Sequence, residues 1–148
     1  MKKPDPALLN DVGLLMMRIL FGGLMAFGHG LPKLQGYAQM SGGFPDPLGI
    51  GTVNSLNGAI FSELVCGLLI LLGLGTRFAA IPAAFAMFIA AFVVHAQGPF
   101  FLPGDGAKEP AFLYLAGYLI LMVTGGGKFS FDALISKARA GKSEAAAA

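Results

Sequence analysis

Four apolar stretches dominate this chain, at about 12–34, 55–74, 77–96 and 110–125. Each approaches or reaches the roughly 20 residues that an α-helix needs to cross the hydrocarbon core of a bilayer. The composition agrees, with 55% apolar and 12% charged residues, where an ordinary soluble domain carries about 25% charged. The sequence therefore predicts an all-α fold, an integral membrane four-helix bundle that fills residues 1–148 as a single domain. The fourth stretch is short. It opens at Glu109-Pro110, a favourable helix start, and closes at Gly125-Gly126-Gly127, so it must recruit its flanks or thin the bilayer locally. The first stretch carries Arg18 and lacks a small-x-small cleavage site, so it is expected to stay as a spanning helix and not to be removed as a signal peptide.

The positive charges fall in alternate connections. Lys2, Lys3, Arg77, Lys128, Lys137, Arg139 and Lys142 lie on one side of the expected bundle, and only Lys33 and Lys108 on the other. Positive residues stay on the cytoplasmic side. Both termini are thus expected in the cytoplasm of a bacterium, with the protein crossing the inner membrane several times. The basic content reports topology, so the lipid bilayer is the expected partner and nucleic acid is not. A chain of 148 residues has no room for a further soluble catalytic domain, so any chemistry must sit inside the bundle or on its rims. Cys66 is the only cysteine. That excludes the small membrane enzymes that pass electrons through cysteine pairs, and it reads as a packing residue.

The connections differ in length. Gly73 to Arg77 is long enough only for a tight antiparallel hairpin, whereas the two outer loops, 36–52 and 98–108, are long and rich in Gly and Pro. Their apolar residues, Phe44, Leu48, Ile50, Phe100, Phe101 and Leu102, suggest loops that either fold back as lids or anchor in the interface. After the glycines, Ser130 is a plausible N-cap for a basic helix at about 130–140 that would lie on the inner leaflet.

With helices 1 and 3 running in the same direction, His29 and His95 arrive at similar depth on the outer side, beside Glu109 and below both long loops. Arg18, Gly22, Met25, His29 and Lys33 recur at the spacing of one face of a helix with 3.6 residues per turn. Glu63 lies near mid-membrane in helix 2, and Tyr114 and Tyr118 form an i, i+4 pair in helix 4. A charge in hydrocarbon costs at least about 2.5–3.5 kcal/mol, so Arg18 and Glu63 are expected to face inward and to offset each other. That pair either fixes helix packing alone or also orients a ligand. The imidazoles suit ligand binding or proton transfer, with rim hydrogen bonding as the alternative. Lys33 serves as a rim anchor or a site residue, and the tyrosines as packing or lining groups. Pro82 is expected to kink helix 3, with the alanines at 79, 80, 83, 84, 86, 90 and 91 as its packing surface.

The order RILFGGLMAFGHGLPKL, ELVCGLLILLGLGTRFAA, His95, EPAFLYLAGYL and GGGKFSFDAL resembles the DoxX family over about residues 12–135. The resemblance implies a four-helix membrane protein of the DoxX/DoxD group, which includes the membrane subunit of thiosulfate:quinone oxidoreductase. It therefore implies an inner-membrane redox protein that exchanges electrons with the quinone pool, its substrate a small sulfur compound or its donor a partner protein or second subunit, with homo-oligomers also open. On this reading quinone is the cofactor, His29, His95 and Glu63 do the proton chemistry, and Arg18, Lys33, Glu109, Tyr114 and Tyr118 bind the substrate. Two other readings stay open. One is a haem or metal held by His29 and His95; the other is a non-enzymatic adaptor or lipid-binding subunit.

Overall fold

A computed structural model describes residues 5–101 and 106–147. Leu102, Lys2 and Lys3 lie outside them. Among the described residues the chain is helical and without strands. Helix α1 spans Pro6–Gln35, α2 Thr52–Leu72, α3 Thr76–Val94 and α4 Glu109–Thr124. The first three are long and apolar enough to cross a membrane, and α4 is a shorter apolar helix. A fifth helix, α5, covers Phe131–Ala147.

Helix α1 starts earlier than its apolar run. The Asp5 carboxylate accepts from the Ala7 N–H at 3.0 Å and Pro6 takes the first helical position, where its missing N–H costs nothing. Helix α2 stops at Gly73, whose φ of 72° is a left-handed conformation that glycine adopts without strain. The expected tight hairpin to α3 follows. Helix α5 begins where expected and continues beyond residue 140, because the Ala-rich end of the chain favours helix.

The four apolar helices pack in a ring, α1 on α2, α2 on α3, α3 on α4 and α4 back on α1. Small residues make the contacts. A Cβ on Gly22 would stand 2.7 Å from the Leu71 nitrogen, and one on Gly30 would stand 2.5 Å from the Leu64 nitrogen, so α1 and α2 touch backbone to backbone. Ala79, Ala80, Ala83, Ala84 and Ala91 of α3 are buried. Leu20, Leu24, Phe27, Phe78, Phe85, Leu113 and Val123 point outward and are exposed, the surface expected of a bundle whose solvent is lipid.

Four π-helical turns interrupt three of these helices: Arg18–Gly23 and Ala26–Gly30 in α1, Phe61–Val65 in α2 and Ala90–Val94 in α3. Each closes i→i+5 bonds, which spread more residues over a turn and rotate everything beyond it. This overturns the expected face of α1. Arg18, Gly22 and Met25 are buried as expected, but the buried line then continues through Ala26 and Gly30 while His29 is exposed.

Candidate functional site

The register of α1 against α2 decides which charges meet. Gly22 lies against Gly67 and Leu71, and Gly30 against Leu64, so the two helices are antiparallel and the residues after Gly30 pass beside Glu63. Lys33 Nζ reaches Glu63 Oε2 at 2.6 Å, with the two side chains 21% and 10% exposed. The expected Arg18–Glu63 pair is therefore replaced by Lys33–Glu63. Arg18 lies fifteen residues earlier on α1, roughly 20 Å away by helical rise, and faces the opposite end of α2.

There Arg18 completes a different cluster. It is 1% exposed, and its guanidinium donates to the carbonyls of Leu71 at 3.0 Å and Phe129 at 2.5 Å. The Leu71 carbonyl belongs to the last turn of α2, where backbone acceptors lack helical partners. Asp132, in the first turn of α5, accepts from the N–H groups of Gly75 at 2.7 Å and Thr76 at 2.9 Å and from the Thr76 hydroxyl at 3.0 Å. Burial alone would raise the Asp132 carboxyl, but these donors and the nearby Arg18 hold it below the usual carboxylate value. A Cβ on Gly73 would stand 2.5 Å from both Arg18 Nη1 and Ser130 Cβ. The middle of α1, the end of α2, the hairpin and the tail thus lock together around Arg18. Sequence reasoning missed Asp132. The signal for it was an acidic residue in the first turn after the expected Ser130 cap.

A cavity of about 520 Å³ opens beside the Lys33–Glu63 pair. Its walls come from α2 between Asn54 and Glu63, from α3 between Pro82 and Val94 and from His95 just after it, and its roof is the first long loop, through Phe44, Leu48 and Ile50. Of the two arrangements expected for this loop, it takes the one that folds back over the bundle. Asp46 organises it, accepting from the N–H groups of Ile50 and Gly51 at 3.0 and 2.8 Å and from the Ser55 hydroxyl at 2.7 Å. The Ser55 hydroxyl foremost, with those amides, holds the Asp46 carboxyl below its ordinary value. Ala86, which packs against the core as expected, and Ala90 also line the cavity, where their small side chains leave room. Phe61 and Phe85 border it and are about half exposed on the lipid-facing surface.

His95 follows the last π-helical turn, its N–H bonded to the Ala90 carbonyl at 2.9 Å, and its half-buried ring lines this cavity. His29 lines a second cavity of about 450 Å³ with Lys33, Gln39 and Phe44. The two imidazoles thus occupy different cavities, and Lys33 borders both. His29 makes an edge contact with Tyr114, ring centroids 5.8 Å apart, and Tyr114 packs on Phe21 and Tyr118. Tyr118 is fully buried and donates to the Phe21 carbonyl at 3.1 Å. It joins α4 to α1 and lines neither cavity. Glu109 opens α4, its N–H bonded to the Phe100 carbonyl at 3.0 Å, and it too stands outside both linings. Among the described residues no group of three or more His, Cys, Asp or Glu side chains converges to hold a metal ion.

Residues 13–96 match the DoxX family model. That match covers more than half of the chain, including Arg18, Lys33, Glu63, the hairpin and His95. The chain belongs to the DoxX family. Relatives span nearly its whole length. An uncharacterized protein of Haemophilus influenzae is 32% identical, over 86% of each chain. The inner membrane protein YqjF of Escherichia coli is 31% identical, over 87% of this chain and 96% of its own. An uncharacterized membrane protein of Mycobacterium tuberculosis is 32% identical, over 89% of this chain and 88% of its own. No solved structure matches. The family, the relatives and the apolar helices together make this DoxX protein a multi-pass protein of the inner membrane.

Proposed function

We propose that the larger cavity binds the ring of a quinone and that this DoxX protein is a quinone-linked redox protein or the membrane subunit of one. The observation that carries the reading is an apolar cavity beside the lipid-facing surface whose lining includes the Lys33–Glu63 pair and His95. A quinone ring is flat and largely apolar, with acceptors only at its carbonyls, and such a cavity matches that distribution. When bound, the quinone supplies two-electron, two-proton redox chemistry.

The chain's own residues then have separate tasks. The Lys33 ammonium, held by Glu63, presents its remaining N–H groups to a carbonyl oxygen, and its charge favours added negative charge there. His95 and Glu63 exchange protons with that end of the ligand. His29, across Lys33 in the second cavity, serves the outer side as a proton or substrate contact. Electrons come from a reduced partner protein or from a small reduced substrate, for which a sulfur compound is the reading the family resemblance suggests. Arg18 holds the opposite end of the bundle and has no part in this site.

A photoactivatable short-tail naphthoquinone tests the proposal on the purified protein in nanodiscs. Labelling should map to residues 44–50 and to the facing parts of α2 and α3, and an unlabelled quinone should compete. Lys33→Met removes a charged hydrogen-bond donor, worth about 1.5–3 kcal/mol, so affinity should fall about tenfold or more. Labelling that spreads over the lipid-facing surface and ignores Lys33→Met would rule the site out.

A further inference from the structure

At the Arg18 end of the bundle a third cavity, of about 520 Å³, lies between the start of α3, the glycine turn after α4 and the first turns of α5. Arg77 and Arg139 both line it. Neither guanidinium has a hydrogen-bond or ion-pair partner among the described residues. This is unlike Arg18, which donates to two carbonyls a short distance away. The third charged residue on the wall, Asp132, has both carboxylate oxygens engaged by Gly75 and Thr76 and faces Arg18. Two positive charges are therefore left uncompensated across one concave surface.

The backbone has been shaped around one of them. Gly125 has φ 77°, and a Cβ there would stand 3.1 Å from Arg77 Nε, so the guanidinium lies directly over the glycine turn. Ser136 lies on the same wall, its hydroxyl donating to the Asp132 carbonyl at 2.9 Å. The position matters as much as the charge. The cavity sits where α3 begins and α4 ends, which is where a membrane surface places lipid headgroups. Next to it Phe78 is 80% exposed, and Leu134 of α5 is 60% exposed. Arginine forks match phosphate oxygens in pairs, and basic pockets between helix ends at a membrane surface bind anionic headgroups.

We propose that Arg77 and Arg139 form a binding site for a phosphate-bearing anion, its phosphate held between the two guanidiniums above Gly125. In the membrane an anionic phospholipid supplies that phosphate, with its acyl chains running down the exposed side of α3 past Phe78. The site is separate from the quinone cavity and does not depend on it.

Native mass spectrometry of the full chain, released from nanodiscs of phosphatidylglycerol or of phosphatidylcholine with matched acyl chains, reads the lipid arm. Thermal stability in phosphatidylcholine nanodiscs, with inorganic phosphate added alone, reads the free-anion arm. Two surface arginines contribute roughly 1 kcal/mol each toward an anionic headgroup, so the Arg77→Gln, Arg139→Gln double variant should retain phosphatidylglycerol about 30-fold more weakly. Lys142→Gln, an exposed charge on α5 outside the cavity, should change retention little. Phosphatidylglycerol held by the parent and lost from the double variant supports the site with lipid as its source. Stabilisation by inorganic phosphate that the double variant loses, without selective lipid retention, supports the same phosphate site with a free anion as its source. Equal behaviour of parent and double variant in both arms, with both chains folded by circular dichroism, overturns the proposal. So does a loss of retention in Lys142→Gln as large as in the double variant.

Discussion

Lys33 and Glu63 form a close ion pair, and each depends on the other. Removing one partner of a buried pair leaves an uncompensated charge, which costs about 3–5 kcal/mol in dry interiors. Lys33 retains some exposure at its rim, so the cost here should lie nearer 2 kcal/mol after screening. Glu63→Ala should therefore lower the unfolding free energy by about that amount, read by denaturant titration in detergent micelles. Lys33→Met combined with Glu63→Leu should recover most of the loss, because well-packed apolar residues replace such pairs at little cost, and yet should not restore quinone labelling. A double variant as unstable as Glu63→Ala would show that packing, and not the unpaired charge, causes the loss. The sequence marked Arg18, Lys33 and Glu63 as charges that need partners, since hydrocarbon offers them none. It did not say which would meet, because pairing follows from how far α1 slides along α2. That register is set by Gly22 and Gly30 against the α2 backbone.

Among the elements, the helices were legible and their internal irregularities were not. Runs of about 20 apolar residues fix where a chain crosses lipid, and Pro, Gly and cap residues fix most helix ends. A π-helical turn leaves no comparable mark in local composition, yet the turns at Arg18–Gly23 and Ala26–Gly30 move His29 off the face that 3.6-residue periodicity assigns to it. The tail shows the opposite case, in which a short motif carries a long-range contact. Asp132 joins α5 to the start of α3 through three hydrogen bonds, and its carboxyl is held below its usual value. A depressed carboxylate contributes stability that is complete above its unfolded value of about 3.9 and is lost as pH falls through the folded one. The tail should therefore stay docked at neutral pH and release only in acid, below about pH 4. A spin label at position 143, on Ser143→Cys in a Cys66→Ala background, should show this as a rise in mobility. With Asp132→Ala the label should already be mobile at pH 7. Equal mobility of the two proteins at neutral pH would mean that the carboxylate does not hold the tail.

Across the whole molecule the two ends of the bundle have different work. At one end Arg18, Asp132 and the glycine turns tie α1, the hairpin and the tail together through backbone-directed bonds, beside the arginine-lined cavity. At the other end two cavities meet at Lys33 under a loop that Asp46 holds folded. The charges predict the side of the membrane that each end faces. Arg77, Lys128, Lys137, Arg139 and Lys142 gather at the Arg18 end, and Lys33 and Lys108 at the Lys33 end, so the positive-inside rule predicts that the Arg18 end faces the cytoplasm. The phosphate site proposed at Arg77 and Arg139 would then take lipid from the inner leaflet, while the Lys33 cavities would receive protons and small substrates from the periplasm. A reporter enzyme active only in the periplasm distinguishes the two orientations. Inserted at Gly42, where an added side chain would meet open space, it should be active; fused after Lys142 it should be silent. The reverse pattern would turn the bundle over, sending the Lys33 cavities to the cytoplasm and the arginine pair to the outer leaflet.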